Sequence, residues 1–230
     1  MEQDKYLIWL SGIRNIGGIR IKRLIEHFGS AKSVWEAGRE DLEKVKGIDR
    51  GVIRQILAHK NEARLEHCLY SLERHNISTI PITSDYYPAL LKEIYNPPYL
   101  LYVKGDRKAL EGNCIAIVGS RNASYYGKKV AFKLAEQLAR AGFNIVSGFA
   151  RGIDSYAHKG ALAVGGKTIA VMGNGLDVVY PRENYQLMKE ISGGGLLLSE
   201  YPPGTSPLRG NFPARNRLIS GLSLGVVVVE

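Results

Sequence analysis

The sequence predicts an α/β protein, in which a Rossmann-like doubly wound parallel sheet is preceded by a small all-α domain. In the second half of the 230-residue chain, short apolar runs alternate with amphipathic stretches, as strands and helices do around a parallel sheet. In the first 80 residues, amphipathic stretches alternate with turns that contain glycine. The overall composition, with 45% hydrophobic and 23% charged residues, is that of an ordinary globular protein.

Residues 1–80 form the predicted helical domain, which contains two segments typical of the helix-hairpin-helix (SAM-like) fold. Gly17 and Gly18 make the first turn, and Gly47 makes the second. The second turn is surrounded by basic residues, namely Lys44, Lys46 and Arg50. Such turns let backbone N–H groups approach a DNA phosphate without reading the base sequence. A small helical domain with solvated charges explains the same pattern, so both interpretations stay open.

Residues 81–112 are expected to be a linker that leads into the second domain. Prolines and tyrosines are frequent here and suit extended or turn structure. The run LLYVKGD is expected to be a short strand that ends in a turn. Its aromatic side chains are able to stack on bases, but packing between domains is their more common role.

Residues 113–230 form the predicted Rossmann-like domain. Its strands are expected at CIAIVGS, NIVSG, KTIAVMG, GLLLSEYP and VVVVE. The helix after the first strand is expected to bury a stripe of residues spaced four apart, namely Tyr126, Val130, Leu134 and Leu138. Because a fully apolar strand comes last, at Glu230, we expect the domain to continue beyond it.

Ligands of doubly wound sheets bind at the carboxyl ends of the strands, so the loops there are the candidate site. These loops contain arginines, small hydroxyl side chains and glycine amides, which together predict a phosphate-binding rim. Phe212 stands among these cations, as in proteins that stack a base while they hold the backbone. The residues of the predicted rim are Gly119, Ser120, Arg121, Ser147, Gly148, Arg151, Arg182, Arg209, Phe212 and Arg215.

Residues that often do acid–base chemistry are better explained here as structural. Asp154 precedes a predicted helix, where it is more often an N-cap than a catalytic acid. His158 follows it by four residues, a spacing that is more often structural than catalytic, and no nucleophile is placed beside the pair. Gly119 and Gly148 are explained equally well as turn glycines. We therefore predict a binding protein that is not an enzyme, with no cofactor and no bound metal.

The chain carries a formal net charge of +9 at pH 7. This excess favours a polyanionic partner, either nucleic acid or an acidic membrane surface. No signal peptide and no apolar run of membrane-spanning length is visible, so we expect a cytoplasmic protein with no membrane partner. Cys68 and Cys114 lack metal-like spacing, and we expect both to be buried, reduced thiols.

Three blocks of the Rossmann-like segment resemble the DNA-processing protein A (DprA/Smf) family. They are SGFARGIDSYAHKGAL, GSR at 119–121, and FPARNRLISGLS followed by LGVVVVE. The resemblance implies an extended Rossmann-like fold that binds single-stranded DNA. It also implies that the protein loads the RecA recombinase during natural transformation and forms a homodimer. The helical N-terminus fits a domain that members often carry.

The same resemblance implies which side chains face the DNA. Arg121, Arg209 and Phe212 are the leading candidates. Weaker candidates are Arg151, Lys159, Arg182 and Arg215. Family members often have lysine where this chain has Arg182 and Arg209. The compact ammonium group of lysine is thus replaced here by the planar guanidinium of arginine.

Two enzyme classes of related fold are the alternatives. A nucleotide phosphoribohydrolase would carry Pro-Gly-Gly-x-Gly-Thr-x-x-Glu, but here Glu200 comes before Pro203, Gly204 and Thr205. A dinucleotide-dependent oxidoreductase would carry Gly-x-Gly-x-x-Gly after the first strand, where Gly119 stands alone. Release of a free base from a nucleoside monophosphate would favour the first of these alternatives.

Overall fold

The computed structural model describes residues 2–230, and the side chains of 5–230. A helical unit is followed by an α/β unit, so the predicted fold class is confirmed. The helical unit contains α1 (Glu2–Ser11), α2 (Gly18–Phe28), α3 (Ala31–Glu36), α4 (Arg39–Glu43), α5 (Arg50–Ala58) and α6 (Glu62–Arg74). The α/β unit contains β1 (Ser78–Pro81), α7 (Ala89–Lys92), β2 (Leu100–Gly105), β3 (Cys114–Gly119), α8 (Tyr125–Arg140), β4 (Asn144–Ser147), α9 (Ile153–Leu162), β5 (Thr168–Met172), α10 (Tyr185–Gly194), β6 (Leu196–Ser199), α11 (Asn211–Gly221) and β7 (Gly225–Val229).

The two predicted hairpins of the helical unit have the same backbone form. The left-handed residue of the second turn is Gly47, as predicted, with a φ of 82°. In the first turn it is Asn15, with a φ of 66°, and not Gly17 or Gly18, because Gly17 is the N-cap of α2 and Gly18 begins that helix. Arg20 joins the hairpins, because its guanidinium donates to the Asn15 carbonyl (2.6 Å) and to the Asp49 carboxylate (3.2 Å). The Asp49 carboxylate also caps α5 by accepting from the Val52 N–H at 3.0 Å. Whether these hairpins contact DNA stays a prediction.

Within the described residues, seven strands form one mixed sheet in the order β1-β2-β6-β5-β4-β3-β7. The strands β6, β5, β4, β3 and β7 are parallel and correspond to the five predicted strands. The segment that contains α11 connects β6 to β7. It crosses β5, β4 and β3 to do so, because β7 is the edge strand next to β3. The helices therefore lie on both faces, as in a doubly wound fold.

Two antiparallel strands extend the predicted parallel sheet at one edge. β2 pairs with β6, and β1 pairs with β2. Leu100, Leu101, Tyr102 and Val103 are at most 1% exposed, so β2 is buried on both faces and lies inside the sheet. The segment 81–112 thus contributes a strand to the α/β unit. The domain boundaries at 80 and 112 stay a prediction.

The helical unit packs on one face of the sheet. Leu10 of α1, Tyr102 of β2 and Met172 of β5 belong to one buried apolar cluster. The hydroxyls of Ser11 and Tyr102 are also hydrogen-bonded at 2.9 Å. α8 and α9 cover the part of this face near β3 and β4, while α7 and α11 cover the opposite face.

One predicted burial is wrong. Val130, Leu134 and Leu138 are half-buried as part of the α8 stripe, but Tyr126 is 76% exposed. The first turn of α8 extends past the carboxyl end of β3, so the stripe begins one turn later than its spacing indicates.

The thiols of Cys68 and Cys114 are both free, Cys114 buried and Cys68 half-buried. Burial raises the pKa of each to about 11, so both are protonated at neutral pH. No helix among residues 2–230 is long and apolar enough to cross a lipid bilayer.

Candidate nucleic-acid interface

The predicted rim lies where β3, β4, β5 and β6 end, which we call the carboxyl edge. Parallel strands bring their following loops together at this edge. Gly119 ends β3, and any side chain there would overlap the carbonyl oxygen of Val229 on β7. The N–H of Ser120 donates to the Glu230 carbonyl (2.9 Å), and its carbonyl accepts from Ile153 N–H (3.2 Å). These bonds fix the loop that presents Arg121.

An arginine and two aromatic side chains meet at the carboxyl edge. The guanidinium of Arg121 lies 5.6 Å from the centroid of the Phe212 ring. The centroid of the Tyr180 ring lies 5.5 Å from that of Phe212, and the two rings are tilted by 36°. We call Arg121, Tyr180 and Phe212 the stacking cluster. Two rings beside a cation can stack on a base and hold the adjoining phosphate.

Tyr180 is a member of this cluster that the sequence reasoning did not single out. It is 43% exposed in the loop after β5, directly before Pro181 and Arg182. Its position in the sequence could have identified it, since an aromatic residue in a loop after a parallel strand lies at the carboxyl edge, where ligands bind. Its contact with Phe212 is long-range and has no local signature.

Three arginines of the carboxyl edge have free charges. Arg121, Arg182 and Arg209 are exposed, and none forms an ion pair with a described residue. We call them the rim arginines. Arg151 is also exposed, but its guanidinium is paired with the carboxylate of Glu183. Its charge is therefore less available to a phosphate than the charges of the rim arginines.

Phe212 is held in place by the start of α11. The side-chain amide of Asn211 donates to the Gly173 carbonyl at 3.0 Å, which ties α11 to the loop after β5. Phe212 is half-buried, so one part of its ring packs on the protein and the rest is accessible. A ring supported in this way loses little side-chain entropy when a base stacks on it.

Three predicted rim residues, Ser147, Gly148 and Arg215, are buried and do not reach the surface. Arg215 is 4% exposed, and its guanidinium donates to the carbonyls of Gly148 (2.7 Å) and Val171. Ser147 is fully buried, and its hydroxyl donates to the Ile117 carbonyl at 2.6 Å. A buried guanidinium needs acceptors on all sides, and the ends of β4 and β5 supply them. Both side chains therefore position loops and do not face a ligand.

Arg215 and Asp154 form a buried polar centre beneath the rim. The Asp154 carboxylate accepts from the Ala150 N–H at 3.2 Å. Burial raises the pKa of Asp154 and lowers that of Arg215 to about 10, so Arg215 stays charged at pH 7. A Cβ at Gly148 would come within 2.7 Å of both the Arg215 guanidinium and the Asp154 carboxylate. Glycine is therefore required there for packing.

The predicted residue Lys159 lies along α9 and not in a loop of the carboxyl edge. It is exposed on α9, six residues after the helix begins, which is about 9 Å along the axis. Its ammonium lies 5.3 Å from the Tyr156 ring of the same helix. The structure thus places Lys159 on the flank of the α/β unit.

His158 is buried beside β5 and is structural. Its Nδ1 lies 2.7 Å from the Thr168 hydroxyl, which itself donates to the Ile145 carbonyl at 2.8 Å. Because a hydroxyl has one proton, Nδ1–H must be the donor to Thr168. Burial, with the charge of Arg215 as a lesser cause, lowers the pKa of His158 to about 3, so the imidazole is neutral at pH 7.

Glu200, an acidic residue that follows β6 at the carboxyl edge, is already paired. Both oxygens of the Glu200 carboxylate accept from Arg217, at 2.6 and 2.7 Å. Burial raises the pKa of Glu200. Among the residues that the structure describes, no three His, Cys, Asp or Glu side chains are grouped to hold a metal ion.

The family model of DNA recombination-mediator protein A matches residues 78–230. Protein Smf of Synechocystis sp. is 41% identical over 233 residues, which cover 100% of this chain and 58% of that protein. The chain spans 45–58% of the length of the first four curated relatives it matches.

Solved structures show the same similarity. DNA processing protein A from Streptococcus pneumoniae has a TM-score of 0.81 and 37% identity, and the match covers 98% of this chain and 77% of that one. DNA processing protein A from Helicobacter pylori has a TM-score of 0.61 and 38% identity, over 66% of this chain and 68% of that one. The latter was determined to describe its single-stranded DNA binding mode.

Proposed function

The chain belongs to the DNA recombination-mediator protein A family, and on this premise we propose that it binds single-stranded DNA at its carboxyl edge. The stacking cluster is the observation that carries the proposal, because it combines two accessible rings with an unpaired guanidinium. The single-stranded DNA binding mode described for the Helicobacter pylori relative supports it.

In the proposed complex, the rim arginines hold phosphates, and Phe212 and Tyr180 stack on bases. Neither contact depends on base identity, since every base has a π-face and every nucleotide has a phosphate. A duplex is a poorer ligand, because its bases already stack on one another and do not offer their faces. The expected preference is therefore for single strands of any sequence.

The buried residues of the carboxyl edge position this surface. Arg215 ties the loop after β4 to α11, and α11 presents Phe212. Ser120 and Glu230 fix the loop that presents Arg121. Arg215, Ser147 and Gly148 thus belong to the proposed site through the geometry they impose.

The finer functions that the family resemblance implies are part of the same proposal. They are the loading of RecA onto the bound strand during natural transformation, the formation of a homodimer, and action in the cytoplasm. A dimer would bring two carboxyl edges onto one strand and raise its affinity through avidity. The proposed activity is binding without turnover.

The test is a fluorescence-anisotropy titration of labelled oligo-dT at two salt concentrations, with an equal-length duplex as competitor. We expect binding that weakens with salt, because each phosphate contact releases about 0.7 counterion from a single strand. The duplex should fail to displace the oligo-dT. No binding at low salt, or equal displacement by the duplex, would contradict the proposal.

A further inference from the structure

Two adjacent tyrosines begin α8, directly after the loop that carries Arg121. Tyr125 is 84% exposed and Tyr126 is 76% exposed. Single exposed apolar residues are common on protein surfaces, but a contiguous exposed pair beside a candidate site points to a ligand. The residue spacing of α8 predicts that Tyr126 is buried, whereas the folded structure leaves its side chain exposed.

The start of α8 is fixed firmly enough to present these rings. The Ser124 hydroxyl accepts from the Gly127 N–H at 3.0 Å. The Glu230 carboxylate in turn accepts from the Ser124 N–H (3.1 Å) and from its hydroxyl (2.8 Å). Because this carboxylate lies against the helix N-terminus, any phosphate beside the rings must be held by side chains.

Lys129 is the side chain placed to hold that phosphate. It follows Tyr126 by three residues and Tyr125 by four, so on a helix it neighbours both rings. It is exposed, and no described residue forms an ion pair with it. One turn later, by contrast, the ammonium of Lys133 is paired with the Glu136 carboxylate at 2.8 Å.

Arg121 connects these tyrosines to the stacking cluster. Its guanidinium lies over the Phe212 ring, and its backbone is four residues before Tyr125. Four extended residues span at most about 14 Å, so the tyrosines begin close to the proposed strand path. Aromatic rings alternating with cations along a surface are the arrangement that binds single strands without sequence preference.

We propose that Tyr125, Tyr126 and Lys129 form a second base-stacking platform, which extends the single-strand site beyond Arg121. This inference rests on the proposed function, because it lengthens the same site. Its occupant is a further stretch of the bound strand, whose bases stack on the tyrosines and whose phosphate pairs with Lys129.

The experiment measures the affinity of the full chain for oligo-dT as the strand is lengthened one nucleotide at a time. For the native chain, affinity should rise with length until the strand covers the platform, and then level off. In the double variant Y125A/Y126A the plateau should come at a shorter length, with an affinity about 5- to 100-fold lower. The shortest oligonucleotides that bind should have the same affinity for both.

Two further variants separate stacking from a general surface effect. Y125F/Y126F keeps both rings and should retain the native length dependence. Y70A removes a tyrosine of α6 that is 59% exposed, and it should leave the length dependence unchanged.

Each outcome distinguishes the two proposals. An unchanged length dependence in Y125A/Y126A would overturn the platform and leave the proposed function standing. The same would follow from an equal loss at all lengths, since this would indicate a disturbed Arg121 loop. Absence of oligo-dT binding by the native chain would overturn both.

Discussion

The carboxyl edge of the sheet has a solvent-facing half and a buried half, and both are built with arginine. Arg209 is exposed and unpaired among the described residues, whereas Arg215 is 4% exposed and bonded to two carbonyls. The two residues are six positions apart in one segment. Burial, and not residue type, therefore separates ligand contact from support. Substitutions in the solvent-facing half should change the affinity for single-stranded DNA and its salt dependence. Substitutions in the buried half should change the free energy of unfolding and its pH dependence.

The largest effect is expected from Arg215→Ala. The substitution leaves the carbonyls of Gly148 and Val171 without their donor, and it leaves the buried Asp154 carboxylate without a cation. We expect the free energy of unfolding to fall by about 3–5 kcal/mol. Urea denaturation followed by circular dichroism measures this loss. The free energy of unfolding of a matched Arg209→Ala variant should stay within about 0.5 kcal/mol of the native value. Similar losses in both variants would contradict the distinction between the exposed and the buried arginine.

The next effect is a pH dependence of stability from His158. Its pKa is lowered to about 3 in the folded state by burial, against about 6.5 in an unfolded chain. Between these values the unfolded chain binds a proton that the folded chain does not. Stability from this group therefore falls as pH drops below about 6.5, by at most about 1.4 kcal/mol per pH unit.

Comparison with His158→Gln isolates this dependence. Each protein is unfolded in urea at pH 7.5 and at pH 5, and each is compared with its own value at pH 7.5. The native chain should lose more stability than the variant. Burial raises the pKa of Asp154, which acts in the opposite direction in both proteins and cancels in the comparison. Equal losses would mean that His158 is accessible to protons in the folded state.

A smaller effect is expected from Phe212→Ala, which removes a ring from the stacking cluster. Affinity for oligo-dT should fall by about 1–3 kcal/mol, with the salt dependence unchanged, because no charge is lost. Phe212→Trp keeps an aromatic face and should bind nearly as well as the native chain. A lower salt slope in Phe212→Ala would show that the ring instead positions Arg121.

The smallest effect is expected from Arg182→Ala. One lost phosphate contact should reduce the slope of log affinity against log salt by about 0.7. An unchanged salt slope in Arg182→Ala would contradict a phosphate contact at this residue.

The parallel part of the fold was predictable, because strands buried on both faces are continuous apolar runs such as CIAIVG and TIAVM. The antiparallel addition of β2 to β6 was not, because strand order depends on contacts between distant segments. The residue spacing of α8 predicts burial of Tyr126 because the pattern holds through the first turn of the helix, although the sheet ends before that turn.

The site was predictable in its position and only partly in its members. The carboxyl-edge rule locates Arg121, Arg182 and Arg209 in neighbouring loops and Phe212 at the adjoining start of α11, while their contact with DNA stays a prediction. The burial of Arg215 had a signal, because Leu218, Ile219 and Leu222 follow it at helical spacing and extend one apolar face. The contact between Tyr180 and Phe212 had none.

The most direct test of single-strand binding at the carboxyl edge compares two charge-matched double variants. R121A/R209A removes two positive charges from the carboxyl edge. R107A/K108A removes two exposed charges after β2, at the opposite edge, because Gly105 pairs with Leu196 at the start of β6. Both variants have the same net charge, so any general electrostatic effect is shared.

The measurement is anisotropy of labelled oligo-dT with each variant at one moderate salt concentration, after both are shown to unfold like the native chain. Binding at the carboxyl edge predicts a strong loss of affinity in R121A/R209A and native affinity in R107A/K108A. Equal affinities in the two variants, whether both native or both reduced, would contradict it.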